Sequence, residues 1–93
     1  MEKTIKLLAT LRDLTGKKTI TVPFEEGQTV RKLLNDLTSL EPALQHEIIT
    51  TDGELTGLVH ILVHGRNIQW LQGLDTPIRE QDILTFLPPS AGG

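Results

Sequence analysis

The sequence of 93 residues contains no cysteine and no long apolar run. Without cysteine the chain can form no disulfide, no thiolate nucleophile and no cysteine-ligated metal site. Its first residues, MEKTIKLLATL, lack the apolar core of a signal peptide, and no stretch approaches the length of a membrane span. We therefore expect a cytoplasmic protein that has no membrane partner.

The net charge of the chain is also small. The chain carries 12 acidic and 9 basic residues, for a net charge of -3. Nucleic-acid-binding domains normally carry a strongly basic patch, so no nucleic-acid partner is expected here. The mildly acidic balance favours a basic protein partner. A chain this short provides one hydrophobic core, which predicts a single folded domain.

Alternating apolar residues predict two strands near the start of the chain, over residues 4–11 and 19–24. Gly16 supplies a turn between them, so the pair is predicted to form a hairpin. Pro23 places the far end of the second strand at a sheet edge or beyond the ladder. The inward-facing positions of the two strands are Ile5, Leu7, Ala9, Leu11, Ile20, Val22 and Phe24.

One amphipathic helix follows the second strand. Thr29 is a suitable N-cap, and the apolar residues after it recur at helical spacing. Pro42 either ends this helix or opens a short second helical turn that reaches Glu47. The apolar face of the helix consists of Val30, Leu33, Leu34, Leu37 and Leu40.

The second half of the chain reads as loops and short strands. Residues 49–57 are polar and predict a loop, residues 58–64 a strand, and residues 65–67 a turn. Residues 68–71 and 83–87 predict two further strands. One apolar helix face and one apolar sheet face can be buried only against each other. The predicted fold is therefore an α+β, ubiquitin-like β-grasp, in which a mixed sheet packs on one main helix and parallel pairing is possible.

A catalytic side-chain site is not found in the sequence. It has no P-loop, no dinucleotide-binding glycine fingerprint and no HExxH motif. His60 and His64 share one face of a predicted strand, but about 13 Å separates residues four apart at ~3.3 Å per residue. They cannot chelate one ion together, so no metal is predicted and both are expected at the solvent face or at an interface. Solvated turns are expected for the loop carboxylates, namely Glu25, Glu26, Glu80 and Asp82.

Trp70 is the single tryptophan. Two roles are open for it: its ring covers the core from a short strand, or it anchors a partner as a binding hot spot. We favour the core position.

The remaining element that carries chemistry is LPPSAGG, residues 87–93. Its two prolines cannot continue a sheet and favour an extended chain, and the four residues after them have small side chains or none. The six residues from Pro88 onward can span about 20 Å at ~3.3 Å each. Such a flexible tail can enter a narrow channel and present the α-carboxylate of Gly93, which is inert until it is activated, for instance by adenylation. Two units are predicted, a β-grasp domain over residues 1–87 and an extended tail over residues 88–93.

The sequence resembles the MoaD/ThiS sulfur-carrier proteins over nearly its whole length. GRNIQWLQGLDTPIREQDILTFLPPSAGG resembles the last third of these proteins, while LLATLRDLTGKKTITVP and GQTVRKLLNDL resemble their opening hairpin and helix start. The most specific match is the ending, a hydrophobic residue followed by Pro-Pro-x-Ala-Gly-Gly.

The resemblance implies that Gly93 is adenylated with ATP by an E1-like activating enzyme and then converted to a thiocarboxylate that donates sulfur. The chain would bind no cofactor itself and would be a carrier subunit, not an enzyme. Within the molybdopterin branch, its partner would be the large subunit of molybdopterin synthase. The resemblance further implies that the partner enzymes bind Phe86, Leu87, Pro88, Pro89, Ser90, Ala91 and Gly92.

The Pro-Pro element and the segment DGELTGLVHILVHGRNI are closer to the molybdopterin-type carriers than to the shorter thiamine-type carriers. One departure is Leu87, where many molybdopterin-type members have a second phenylalanine. Three alternatives stay open: a carrier for cysteine, thiamine or tRNA thiolation, a ubiquitin-like modifier conjugated to lysines, and a plain interaction domain.

Overall fold

The computed structural model describes residues 1–88. Its strands are β1 (Glu2–Leu7), β2 (Thr19–Pro23), β3 (His60–Val63), β4 (Arg66–Asn67) and β5 (Leu84–Leu87). Its α-helices are α1 (Thr10–Thr15), α2 (Val30–Leu40) and α3 (Gln45–Ile48). Single turns of 3-10 helix lie at Pro42–Leu44, Ile68–Trp70 and Gly73–Asp75. None of the helices within these 88 residues is long and apolar enough to span a membrane.

The five strands form one mixed sheet in the order β2-β1-β5-β3-β4. The central pair β1 and β5 is parallel, and every other neighbouring pair is antiparallel. This arrangement confirms the predicted β-grasp class and the parallel pairing. It also confirms that Pro23 lies on an edge strand, β2. Because β5 lies between β1 and β3, the chain leaves the sheet from its interior and not from an edge.

The helix α2 packs its apolar face on the sheet as predicted. The Thr29 side chain accepts a hydrogen bond from the Lys32 amide, which confirms the predicted N-cap. The prediction was wrong for Leu40, whose side chain is 54% exposed. Leu40 is the last residue of the helix, and the core beside that turn is filled instead by Leu44 and Ile48.

The first predicted strand is wrong beyond Leu7. The chain turns at Ala9, where the Leu11 amide donates to the Leu8 carbonyl at 3.2 Å, and then forms α1 up to the left-handed cap residue Gly16. Leu11 is buried as expected, but it reaches the core from a helix, and Ala9 is exposed. β1 and β2 do pair in antiparallel fashion, so the predicted hairpin pairing is confirmed although its connection contains a helix.

Two short segments of the second half also differ from the predictions. The turn between β3 and β4 is formed by His64 and Gly65, both with positive φ, so Arg66 and Asn67 already belong to a strand. This two-residue geometry matches the twist of the flanking strands. The chain that follows is a 3-10 turn and not a strand, because the Asn67 side chain accepts from the Gln69 amide at 2.9 Å and starts a helical turn.

That 3-10 turn corrects the preferred position of Trp70. Its side chain is 83% exposed, whereas Ile68 in the same turn is buried and fills the core. A helical turn of three residues directs only one of these two large side chains inward. The core role is therefore wrong, and the role of a partner anchor stays a prediction.

Candidate functional site

The central strand β5 brings the chain to the base of the predicted tail. Leu84 and Phe86 point into the core, and the Phe86 carbonyl accepts a hydrogen bond from the Leu8 amide at 3.0 Å. On its other side Leu87 is paired with His60 of β3. Neighbouring segments thus hold β5 up to Phe86 on one side and up to Leu87 on the other, so the point at which the chain leaves the sheet is defined.

The predicted tail residues fall into three groups. Phe86 is fully buried, so its ring supports the base of the tail from the core and presents no surface to a partner. Leu87 is half-buried beside His60, and Pro88 is buried at the end of the strand. The other predicted partner-binding residues and the predicted reactive residue lie outside the described part of the chain: Pro89, Ser90, Ala91, Gly92 and Gly93.

A cavity of about 360 Å³ opens beside the base of the tail. Its walls include three buried apolar residues, Leu11 from α1, Val59 before β3, and Pro88 itself. Leu14 and Leu58 also line it, and their side chains are 44% and 54% exposed. The exit of the tail is therefore bordered by apolar surface that the domain itself leaves open to water.

The same cavity is lined by two carboxylates. Asp13 belongs to α1 and Glu47 to α3. Within residues 1–88 neither of them forms an ion pair, whereas bases and acids elsewhere pair in four places, such as Lys32 with Asp36. The charged side chains that line this cavity are therefore acidic.

The turn that enters α1 has an unusual backbone conformation. Ala9 adopts φ +53° and ψ -128°, a region that residues with a side chain rarely occupy. The neighbouring Leu8 is the residue whose amide is bonded to Phe86. The strained turn therefore lies directly against the last residues of β5.

The outer face of the sheet near the tail carries half-buried side chains. Thr85 and Leu87 of β5 lie beside Leu62 and His60 of β3, all half-buried. Asn67 Nδ2 and His60 Nδ1 lie 2.8 Å apart, within hydrogen-bond distance. The structure does not bring His60 and His64 together: His60 belongs to β3, and His64 to the exposed turn that follows it.

Two of the loop carboxylates accept hydrogen bonds from backbone amides. The Asp82 carboxylate accepts from the Arg79 amide at 2.9 Å, and the Glu26 carboxylate accepts from the Glu80 amide at 2.6 Å. Glu25, Glu26 and Glu80 are exposed. The expectation of solvated turns is confirmed for these three residues, while Asp82 is half-buried.

Lys3 is a buried residue that the sequence analysis missed. Its ammonium donates to the carbonyl oxygens of Arg79, Glu80 and Asp82 at 2.8, 2.6 and 3.0 Å, and its side chain is 5% exposed. All three donors of the ammonium are thus used, which satisfies a charge that would be costly to bury alone. These bonds hold the loop before β5 to the start of β1. The missed signal is the alternation of positions 3, 5 and 7, which places Lys3 on the inward face with Ile5 and Leu7.

The chain is similar to known proteins over its full length. The model of the ThiS family matches residues 5–93. Small archaeal modifier protein 3 of Haloferax volcanii is 32% identical over 93 residues, which are 100% of each chain. Sulfur carrier protein CysO of Mycobacterium tuberculosis is 28% identical over 96 aligned positions that cover 100% of each chain. The crystal structure of SAMP1 from Haloferax volcanii superposes with a TM-score of 0.83 at 29% identity and 100% coverage of both chains.

Proposed function

The chain belongs to the ThiS/MoaD family of ubiquitin-like sulfur carriers, and we propose that it carries sulfur as a thiocarboxylate on Gly93. One observation supports this proposal above the others. The strand that leads to the tail is the central one of the sheet, it is hydrogen-bonded on both sides, and the residues after it are Pro-Pro-Ser-Ala-Gly-Gly. A rigid domain thus precedes a segment without bulky side chains, which suits delivery of a chain end into another protein.

The chemistry of the carrier follows from the reactivity of a carboxylate. A carboxylate does not react with a sulfur nucleophile, because its oxygen is a poor leaving group. In the proposed first step an oxygen of the Gly93 carboxylate attacks the α-phosphorus of ATP, pyrophosphate leaves, and a mixed anhydride with AMP forms. In the second step hydrosulfide attacks the carbonyl carbon and AMP leaves with the electron pair of the broken C–O bond, which yields the thiocarboxylate. An E1-like adenylating enzyme binds the ATP and supplies both active sites.

For the sulfur acceptor we propose the pterin precursor of the molybdenum cofactor, with this chain as the small subunit of molybdopterin synthase. Support comes from the Pro-Pro-x-Ala-Gly-Gly ending and from the segment DGELTGLVHILVHGRNI, both of which resemble the molybdopterin-type carriers. The large subunit would supply the active site and take up the tail. Transfer to cysteine, thiamine or tRNA uses the same thiocarboxylate and differs only in the acceptor enzyme.

A second candidate is conjugation of Gly93 to lysines of other proteins. It is favoured by the similarity to proteins named small archaeal modifier proteins, at 32% identity for one and at a TM-score of 0.83 for another. Chemically the two functions diverge after activation, since a lysine amine in place of sulfur gives an isopeptide bond.

Mass spectrometry separates the functions. The chain is co-expressed with its adenylating enzyme, and the intact mass is measured with and without that enzyme. Sulfur carriage predicts replacement of one oxygen by sulfur at Gly93, and an unchanged mass in every condition would contradict it. Modifier activity predicts conjugates instead. Because Arg79 is the last basic residue, trypsin would leave residues 80–93 on a target lysine, and the search must be made for that remnant.

Molybdopterin synthase activity is tested by adding the thiocarboxylated chain to a purified large subunit and the pterin precursor. Formation of the dithiolene product supports this acceptor. A thiocarboxylate that is stable under these conditions but is consumed by a different acceptor enzyme would assign the chain to another sulfur pathway.

A further inference from the structure

The cavity at the base of the tail has an open apolar rim, which we call the collar: Leu14 and Leu58, with the carboxylates of Asp13 and Glu47 beside them. We propose that the collar binds the entrance of the channel through which the adenylating enzyme takes up the tail, and that this entrance presents an apolar projection flanked by basic side chains. The inference rests on the proposed function and adds the surface that recognises the first enzyme in the sequence of reactions.

The length of the tail requires contact at this place. Five residues follow Pro88, and at ~3.3 Å per residue they reach about 17 Å when extended. An active site that excludes water from an acyl-adenylate lies below the surface of its enzyme. For Gly93 to arrive there, the entrance of the channel must come down to the surface around Pro88. The collar borders Pro88 and lines the same cavity.

The shape and polarity of the collar fit such an entrance. Leu14 and Leu58 are about half exposed, while Leu11 and Val59 between them are buried, so the cavity is a depression with apolar walls. An apolar side chain of the partner that fills it removes apolar surface of both proteins from water. Leu14 comes from α1 and Leu58 from the chain just before β3, so both are fixed by elements that pack against the core.

The charge around the collar indicates the complementary charge of the partner. Asp13 and Glu47 line the cavity without an ion-pair partner within residues 1–88. Arg12, which precedes Asp13 in the sequence, donates from Nε to the Leu7 carbonyl at 2.8 Å and forms no ion pair within residues 1–88. Basic side chains on the partner would pair with the two carboxylates, and such pairs at a rim mainly raise the rate of association and orient the encounter.

Steady-state kinetics with the adenylating enzyme test the proposal. ATP–pyrophosphate exchange is measured at varied concentrations of the chain for wild type, Leu14→Asp and Leu58→Asp. A matched control is Leu40→Asp, because Leu40 is 54% exposed like Leu58 but lies at the end of α2. We expect KM to rise about tenfold or more for each collar variant, as for hot-spot contacts, with kcat within about twofold of wild type and no change for Leu40→Asp.

Charge reversal provides a second arm. Asp13→Lys and Glu47→Lys should raise KM about threefold to tenfold, and the difference from wild type should shrink as salt is added. Glu25→Lys is the matched control, because Glu25 is exposed, forms no ion pair within residues 1–88 and lies away from the collar in the loop after β2; it should leave KM unchanged. Thermal unfolding of each variant is recorded first. If an aspartate variant is less stable than wild type, Leu14→Ser and Leu58→Ser replace it at the same positions.

The outcomes separate this inference from the proposed function. If wild type supports no exchange while the enzyme is active on another carrier, the proposed function fails, whatever the collar does. If wild type is adenylated and the folded collar variants have the KM of wild type, the collar inference is overturned and the partner contacts another face. A fall in kcat without a change in KM would also overturn it, because a docking surface acts on binding and not on chemistry.

Discussion

The two ends of β5 differ in the contacts that the polar and apolar side chains beside them make. Before the strand, the buried ammonium of Lys3 donates to three backbone carbonyls and so fixes the loop to the start of β1. After the strand, two exposed leucines and two carboxylates that form no ion pair within residues 1–88 line the same cavity as Pro88. One end of the central strand is thus fixed by contacts within the domain, while the other end leaves apolar and acidic side chains exposed for contact with another protein. We expect changes at the first end to alter stability, and changes at the second end to alter activity.

The largest effect is expected from the tail. Replacing Gly92 with Val places a branched side chain next to the reactive residue, where a narrow channel would leave no room for it. Misplacement of the reacting carboxylate by an ångström can cost about a hundredfold in rate, so we expect thiocarboxylate formation to fall by at least that factor. The measurement is the initial rate of sulfur incorporation with the adenylating enzyme. Thermal unfolding should be unchanged, and Ala43→Val, at an exposed position outside the tail, should be thiocarboxylated at the wild-type rate.

A Gly92→Val chain that is thiocarboxylated at the wild-type rate would contradict the narrow-channel account. A large fall in its melting temperature would contradict the separation of activity from stability at this end of the strand.

The next largest effect is expected at Lys3. Lys3→Met removes the ammonium and leaves three carbonyls without their donor, which should lower the free energy of unfolding by about 3 kcal/mol. Urea unfolding followed by circular dichroism measures it. Lys6→Met is a matched control on the same strand, because Lys6 is exposed and its loss should change the free energy of unfolding by less than about 0.5 kcal/mol.

Equal stability of the two lysine variants would show that the buried ammonium contributes no more than an exposed one. At temperatures where Lys3→Met is folded, we expect its KM for the adenylating enzyme to match that of wild type, since Lys3 lies at the opposite end of β5.

A smaller effect of opposite sign is expected at Ala9. Ala9→Gly relieves a backbone conformation that costs a residue with a side chain about 1–3 kcal/mol, offset in part by the greater freedom of glycine in the unfolded chain. We expect a net gain of about 1 kcal/mol, which raises the melting temperature by about 4–8 °C. Gly16→Ala is the converse control. Gly16 has φ +72° with open space around it, so the added methyl group should destabilise through the backbone alone.

A melting temperature that falls for Ala9→Gly would mean that the turn is not strained. A gain in stability accompanied by slower adenylation would instead show that the strain at Ala9 contributes to the presentation of the tail.

Elements could be predicted from the sequence where the spacing of their apolar residues fits only a strand or only a helix. β2 alternates strictly and α2 repeats at helical spacing, and both were placed within one residue of their observed ends. Residues 8–14 carry apolar side chains at spacings that suit either a strand or a helix, and the turn at Ala9 decides between them. Lys3 was missed because lysine is rarely buried. The alternation of the strand nevertheless indicated an inward position, since Lys3 lies two residues before Ile5 and four before Leu7.

Of the candidate site, only the tail could be proposed from the sequence, and the role of Gly93 stays a prediction. The proline, alanine and glycine residues of the tail are adjacent in sequence, so their pattern could be interpreted directly. The collar joins Leu14 and Leu58, which no local pattern connects, and only the packing of α1 beside the start of β3 brings them to one cavity. The position of Trp70 was predicted wrongly for a related reason. The Asn67 side chain accepts a hydrogen bond from the Gln69 amide and so starts the turn that exposes Trp70.

The central claim is that Gly93 becomes a thiocarboxylate, and tandem mass spectrometry of the chain co-expressed with its adenylating enzyme tests it most directly. The account predicts that one oxygen is replaced by sulfur, that fragmentation locates the sulfur at Gly93, and that deletion of Gly93 abolishes the exchange. An active adenylating enzyme that leaves the wild-type chain with its original mass, or sulfur located at any other residue, would contradict the account.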